Sequence, residues 1–231
     1  MVVVAAGSAT RMGPQTERKP LLELGGRPLL IATLERLSRA ESIAELVVVA
    51  HADDTQRIAG VIESAGLGPP VCVVAGGATR TASVRCGVAA CHPSSRVIGV
   101  HDGARPFADP KLVERCLREA AEHGAALLAT PVTDTLHRSH ADDPELAAST
   151  VDREDLWAAQ TPQCFRATEF RELLGTLKGA AQATDDVGLW QAAGRSARLV
   201  PSTPDNFKIT RPDDLLRARA LLANLDSPTA S

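Results

Sequence analysis

Residues 1–13 read MVVVAAGSATRMG, and the fold turns on how this opening is read. Val2, Val3 and Val4 are consecutive β-branched residues, which marks a buried strand. The run breaks at once into Ala5-Ala6-Gly7, where glycine frees the backbone and small side chains leave the surface open. Arg11 adds a permanent positive charge to the end of that loop, and Arg18 and Lys19 follow. A strand opening into a small-residue loop with cations is suited to a phosphate-bearing ligand at the strand's end. Taken alone, the stretch is equally an ordinary strand-to-helix turn with a surface arginine.

The rest of the chain repeats the alternation. Apolar runs at 45–50, 70–75, 96–102, 124–130 and 197–202 predict further strands. Amphipathic stretches separate them. LLIATLERLSRA (29–40) puts Leu30, Leu34 and Leu37 on one face. DDTQRIAGVIESAG (53–66) begins with acids and stops at Gly66. DPKLVERCLREAAEHG (109–124) offers Asp109 as cap, Pro110 at the first helical position and Gly124 at the end. Such alternation predicts an α/β fold: a mainly parallel sheet with helices on both faces, binding ligands beyond the strands' carboxyl ends.

Residues 133–163 break the rhythm. HADDPE (140–145) reads as a turn between extended runs near Thr135–Arg138 and Ser149–Arg153, so a projecting hairpin arm is expected there. The arm belongs to a single domain over 1–223, with 224–231 as a disordered tail.

Bulk properties set bounds. With 231 residues, 23% charged and a formal net charge of −3, the chain has no general pull toward nucleic acid or an anionic membrane. Neither a signal peptide nor a membrane span is recognisable, and a cytoplasmic location is expected. The 5 cysteines have no zinc-knuckle spacing and read as buried free thiols.

Four strand-end segments carry the candidate chemistry: AAGSATRM (5–12), GGATRTASV (76–84), HDGARP (101–106) and NFKITRP (206–212). Each has a bland reading as a turn, a cap or a solvated charge. Parallel topology places all four on one rim, and together they point to a phosphate-ligand site. The P-loop, the Gly-x-Gly-x-x-Gly fingerprint and the Gly-x-Ser-x-Gly elbow are all missing from the sequence. His101 and Asp102 are neighbours on a strand, so their side chains point to opposite faces and should not cooperate.

These segments, with DTLHR (134–138), TVDREDLW (150–157), TPQ (161–163) and TDD (184–186), occur in an order that resembles the 2-C-methyl-D-erythritol 4-phosphate cytidylyltransferases, within the nucleotidyltransferases of Rossmann-like sheet. The likeness runs from Val2 to about Leu222. It implies CMP transfer from CTP to a polyol phosphate with release of pyrophosphate, on the non-mevalonate isoprenoid route. By resemblance, Ala5, Ala6, Gly7 and Gly76 frame the cytosine, Ser83 adds a hydroxyl, and Asp102 serves nucleotide and substrate. Arg11, Lys19 and Lys208 match the catalytic cations around the triphosphate. Arg105, Thr135, Arg153, Thr161, Thr184 and Asp185 match residues around the polyol phosphate. The resemblance also implies a homodimer formed through the arm, so that Thr135 and Arg153 serve the neighbour's site, and Mg²⁺ held mainly by CTP rather than by protein ligands. Pro20 is expected to hold Lys19 in extended geometry.

The implied chemistry fits the residues. A phosphate monoester is largely ionised at neutral pH and needs no general base, so catalysis becomes charge neutralisation and positioning. The rival readings are a ribitol-5-phosphate cytidylyltransferase, a guanylyl- or sugar-nucleotide transferase, and a non-catalytic nucleotide-binding module.

Overall fold

The computed structural model describes residues 1–7, 18–176 and 184–226. At its centre is a seven-stranded sheet ordered β11-β7-β10-β6-β1-β4-β5. The strands are β1 (Val2–Val4), β4 (Leu46–Ala50), β5 (Val71–Ala75), β6 (Val97–Asp102), β7 (Ala125–Pro131), β10 (Trp157–Arg166) and β11 (Arg198–Pro201). Two small antiparallel pairs complete the set: β2 (Glu23–Leu24) with β3 (Arg27–Pro28), and β8 (Leu136–Ser139) with β9 (Ala147–Val151). All six strands expected from the apolar runs are present. β1 is flanked in parallel by β4 and β6, which explains why its opening valines carry no polar alternation.

The period of two sorts side chains into two cores. Val2, Val47 and Val49 face one side, with Val84 and Val88 of α3 (Arg80–Ala90), Phe170 of α5 (Ala167–Thr176) and Trp190 of α6 (Asp186–Ala192). Val3, Val48 and Leu46 face the other, with Leu30 and Leu34 of α1 (Leu29–Leu37), Ile58 of α2 (Thr55–Ala65) and Val113 of α4 (Pro110–His123). Aromatic residues are few and concentrated: Phe165 stacks on Phe170 at 4.1 Å and packs against Trp190 at 5.4 Å. Gly66 ends α2 at φ 60, a conformation that favours glycine. Asp109 caps α4 by accepting from the Lys111 N–H at 2.8 Å.

Three expectations need correction. The stretch 133–163 does contain a largely exposed hairpin, β8–β9, but its last residues are not arm. From Trp157 onward they form β10, which runs antiparallel between β6 and β7 in the middle of the sheet. Pro162 hid this strand, because proline cannot join a central ladder. A register shift between Ala159 and Gln163 accommodates it. Second, Cys91, Cys116 and Cys164 are buried, but Cys72 and Cys86 are exposed. Cys72 sits on edge strand β5, and Cys86 on the solvent side of α3. Third, residues 224–226 belong to α7 (Pro212–Asp226) and are not tail, while 227–231 lie outside the described residues. No helix among the described residues is long and apolar enough to cross a membrane.

Candidate active site

The carboxyl ends of β1, β4, β5 and β6 open onto one cavity of about 490 Å³. Ala5, Ala6 and Gly7 supply one wall, and Gly77, Ala78 and Thr79 another. Lys19, His51, Asp102 and Lys208 put charge or polarity on it. α3 begins at the cavity, and Thr79 caps it by accepting from the Ala82 N–H at 3.1 Å. The positive end of that helix therefore faces the space where an anion would lie. Ser83, one turn in, lines the cavity and ties back to Gly77: its oxygen accepts from the Gly77 N–H at 3.1 Å and lies 3.3 Å from the Gly77 carbonyl.

Gly76 is not on the wall, and the expectation for it is corrected. Its N–H donates to the Ala50 carbonyl at 2.8 Å, behind the lining. A Cβ there would lie 2.8 Å from both Ala6 Cβ and Ser83 Oγ, so the residue keeps the two walls at their spacing. Gly76→Ala is expected to cost about 1–3 kcal/mol of stability by overpacking. It should also raise the KM for the nucleotide more than that for the second substrate, and denaturant melts with paired KM measurements check both effects.

Asp102 ends β6 and is only 7% exposed. Its Oδ2 receives Lys208 Nζ and Arg105 Nε, each at 3.1 Å. Arg105 Nη1 donates onward to the Asn206 carbonyl at 2.7 Å. Burial opposes ionisation of Asp102, but the charges of Lys208 and Arg105 outweigh it and bring the carboxyl down to about 2. Asp102 is thus an anion at neutral pH with two cations on one oxygen, and it holds the Lys208 ammonium at the cavity.

The other expected residues fall into separate groups. Lys19 lines the cavity and opens a single 3-10 turn, Lys19–Leu21, rather than continuing extended. The Leu22 N–H closes that turn on the Lys19 carbonyl at 3.2 Å, and Pro20 is tolerated where a first-turn N–H has no partner to lose. Arg105 and Thr161 do not line the cavity; Arg105 Nε and Nη1 bind Asp102 and the Asn206 carbonyl, and Thr161 Oγ1 bonds the Asp102 N–H and the His101 ring. Asp185 caps α6 through the Gly188 N–H at 2.8 Å and accepts from Gln163 Nε2 at 2.8 Å, and Thr184 precedes it on the surface. Thr135 and Arg153 belong to the arm region, where Arg153 donates to the Thr133 carbonyl, and neither lines the cavity. Arg11 lies outside the described residues.

The sequence reading missed several residues. Arg80 lines the cavity and pairs at 2.8 Å with the fully buried Asp186. Burial raises that carboxyl against the pull of Arg80. Its signal was present in GGATR, but the partner is remote in sequence. Asn206 is buried, and its Nδ2 donates to Gln160 Oε1 and to the Thr161 carbonyl, both at 2.9 Å. It joins the Lys208 segment to β10.

A mainly parallel sheet with a small-residue cavity at its strand ends, edged by lysines and a helix N-terminus, defines a Rossmann-like α/β protein built to hold a phosphate-bearing ligand. Comparison with known proteins narrows the class. The chain belongs to the 2-C-methyl-D-erythritol 4-phosphate cytidylyltransferase family, which it matches over residues 1–224. It is 44% identical to the bifunctional enzyme IspD/IspF of Anaeromyxobacter sp., over 96% of this chain and 56% of that one. The chain thus spans little more than half the length of that relative. It is 40% identical to the 2-C-methyl-D-erythritol 4-phosphate cytidylyltransferase of a Synechococcus species, over 96% of this chain and 98% of the other. The crystal structure of the corresponding protein of Thermus thermophilus superposes with a TM-score of 0.75 at 34% identity, covering 96% of this chain and 98% of that one.

Proposed function

We propose that the protein transfers CMP from CTP to 2-C-methyl-D-erythritol 4-phosphate, giving 4-diphosphocytidyl-2-C-methyl-D-erythritol and pyrophosphate, as the family resemblance implies. The observation that carries this reading is the meeting of Lys19, Lys208 and the α3 N-terminus at one cavity walled by alanine and glycine. The difficulty of the reaction is repulsion between two anions, and no base is required because the attacking monoester is already ionised. An oxygen of the polyol phosphate attacks the α-phosphorus of CTP. The bond from that phosphorus to the bridging oxygen breaks, and pyrophosphate leaves with the electron pair. Among the described residues Lys208 directs one N–H to Asp102, which leaves two donors for phosphate oxygens. The Ala5–Gly7 and Gly77–Ala78 walls leave a slot suited to a pyrimidine ring.

Mg²⁺ is proposed to enter with the triphosphate and to neutralise its oxygens when bound. Among the described residues Asp102 is the acidic side chain that lines the cavity, and its Oδ2 is already engaged by two cations, which suits a metal carried mainly by the nucleotide.

The β8–β9 arm is exposed along nearly its whole length, and Leu146 and Leu156 in the same excursion are exposed at 54% and 37%. A homodimer in which each arm covers the partner's cavity fits that exposure. Thr135 and Arg153 would then meet the polyol phosphate in trans. Arg153→Ala is expected to raise the KM for the polyol phosphate several-fold, with the KM for CTP little changed; equal shifts in both would count against this role. A cytoplasmic location suits free thiols and a soluble phosphorylated substrate.

Pyrophosphate release tests the reading. Turnover is expected with CTP and methylerythritol phosphate, and much less with ribitol 5-phosphate or with ATP, GTP or UTP. Equal or faster turnover with ribitol 5-phosphate would select the rival substrate. Binding of CTP without turnover on either polyol phosphate would select the non-catalytic reading.

A further inference from the structure

His101 is fully buried, directly under the catalytic rim, and does not line the cavity. Both of its ring nitrogens are engaged. Nε2 lies 3.1 Å from the Arg105 carbonyl, and Nδ1 lies 3.1 Å from Thr161 Oγ1. Thr161 Oγ1 in turn accepts from the Asp102 N–H at 3.0 Å.

The chemistry of these groups fixes every hydrogen. A carbonyl can only accept, so the proton sits on Nε2 and is donated to Arg105. Nδ1 then carries a bare lone pair and accepts the Thr161 hydroxyl hydrogen. The Thr161 oxygen is left free to accept from Asp102. The Asp102 N–H, the Thr161 hydroxyl, the His101 ring and the Arg105 carbonyl thus form one directed chain. A charged ring would turn a second donor on Thr161 and leave its hydroxyl hydrogen without this acceptor. Burial keeps the ring neutral, holding its pKa down at about 4.

The two ends of that chain are the two residues whose side chains meet above it. The Asp102–Arg105 turn closes on itself through the Arg105 N–H and the Asp102 carbonyl at 3.1 Å. Its carboxylate then receives Arg105 and Lys208 together.

We infer that His101 is a positioning residue for Lys208: its ring ties both ends of the 102–105 turn, so that the Asp102 carboxylate aims the lysine ammonium at the cavity. The inference rests on the transferase reading above, in which Lys208 is catalytic. It revises the expectation that His101 and Asp102 do not cooperate. Their side chains do point apart, and the coupling runs through backbone groups and Thr161 instead.

Coupling to Lys208 is what distinguishes aim from mere support. The test measures kcat, both KM values and the melting midpoint for the wild type and for His101→Leu, Lys208→Ala and the double variant. His101→Leu is expected to lower kcat about tenfold in the wild-type background, with the KM for CTP nearly unchanged, and to add about twofold or less once Lys208 is alanine. His101→Gln, which can keep the donor to Arg105, and His101→Asn, which can keep the acceptor for Thr161, cover the case in which the leucine variant does not fold. One of them should recover part of kcat. Their profiles over pH 6–9 should match the wild type in shape, because the charged groups facing the ring (Asp102, Arg105 and Lys208) are unchanged and the native ring does not titrate there.

Equal losses in both backgrounds would overturn the inference and leave His101 a core residue. Loss of an acid limb in the glutamine variant would overturn it in favour of general-base action. Wild-type turnover in Lys208→Ala alone would instead sink the reading on which the inference rests.

Discussion

Lys208→Ala is expected to lower kcat/KM for the proposed CMP transfer by at least about tenfold, the size of loss that follows removal of an oriented charge at a developing anion. The ammonium lines the cavity and is held 3.1 Å from the Asp102 carboxylate. In the free protein that contact partly neutralises Asp102. In the proposed ternary complex the same nitrogen, which spends one donor on Asp102 among the described residues, would face phosphate oxygens whose charge shifts as pyrophosphate leaves. Removing it weakens the transition state more than the ground state, so the loss should fall mainly in kcat. Stability should change little, because Lys208 is 36% exposed and Arg105 remains on the carboxylate. Lys208→Arg is not expected to restore full activity, since the planar guanidinium cannot place a compact charge at the same point. By resemblance, Arg11→Ala should show a loss of similar size. Steady-state pyrophosphate release at varied CTP and polyol phosphate checks these expectations, and near-normal turnover in both alanine variants would refute the assignment of the catalytic cations.

The sheet was legible because its parallel strands are short apolar runs, and its helices because caps and stops such as Asp109, Pro110 and Gly66 are local features. β10 was not legible. Its inward face reads through glutamine, threonine and proline, since Gln160, Thr161 and Gln163 are buried to carry hydrogen bonds. Periodicity arguments assume that buried means apolar, and they fail where a strand has become part of the polar scaffold of a site. Three of the four rim segments lie at the ends of β1, β5 and β6 as read from the sequence; the fourth, 206–212, reaches the cavity from the loop between β11 and α7 and not from a strand end. What each residue does within the rim was less legible. Gly76 and Gly77 are adjacent in sequence, yet only Gly77 faces the cavity. Thr161 and Arg105 match a substrate-binding pattern, yet Thr161 Oγ1 and Arg105 Nε both bond Asp102, and Arg105 Nη1 bonds the Asn206 carbonyl. Arg80 and Asn206 depend on partners on other elements, which no local signal names.

The buried imidazole also makes folding stability depend on pH. An ordinary histidine titrates near 6.5, whereas His101 is held to about 4 in the native protein because burial disfavours its charged form. Between those two values the unfolded chain binds a proton that the folded chain refuses. Stability therefore rises with pH through this window, and is lost as pH falls from about 6.5 toward 4. At about 1.4 kcal/mol per pKa unit, the full loss is about 3 kcal/mol, a substantial share of the roughly 5–15 kcal/mol typical of a domain. Above pH 7.5 this residue contributes no slope. Asp102 adds to the acid sensitivity in a lower window: its carboxyl is depressed from 3.8 to about 2, so its contribution is present above about 4 and disappears as pH falls through 2. The two windows barely overlap, which allows them to be separated. Urea unfolding of the wild type at pH 7.5 and 4.5 should show a drop of about 2–3 kcal/mol beyond that of His101→Gln, whose side chain cannot take up the proton. Parallel behaviour of the two proteins over that range would mean that the ring is not held neutral in the native fold. The directed chain from Asp102 through Thr161 to Arg105 would then lose the protonation state on which it depends.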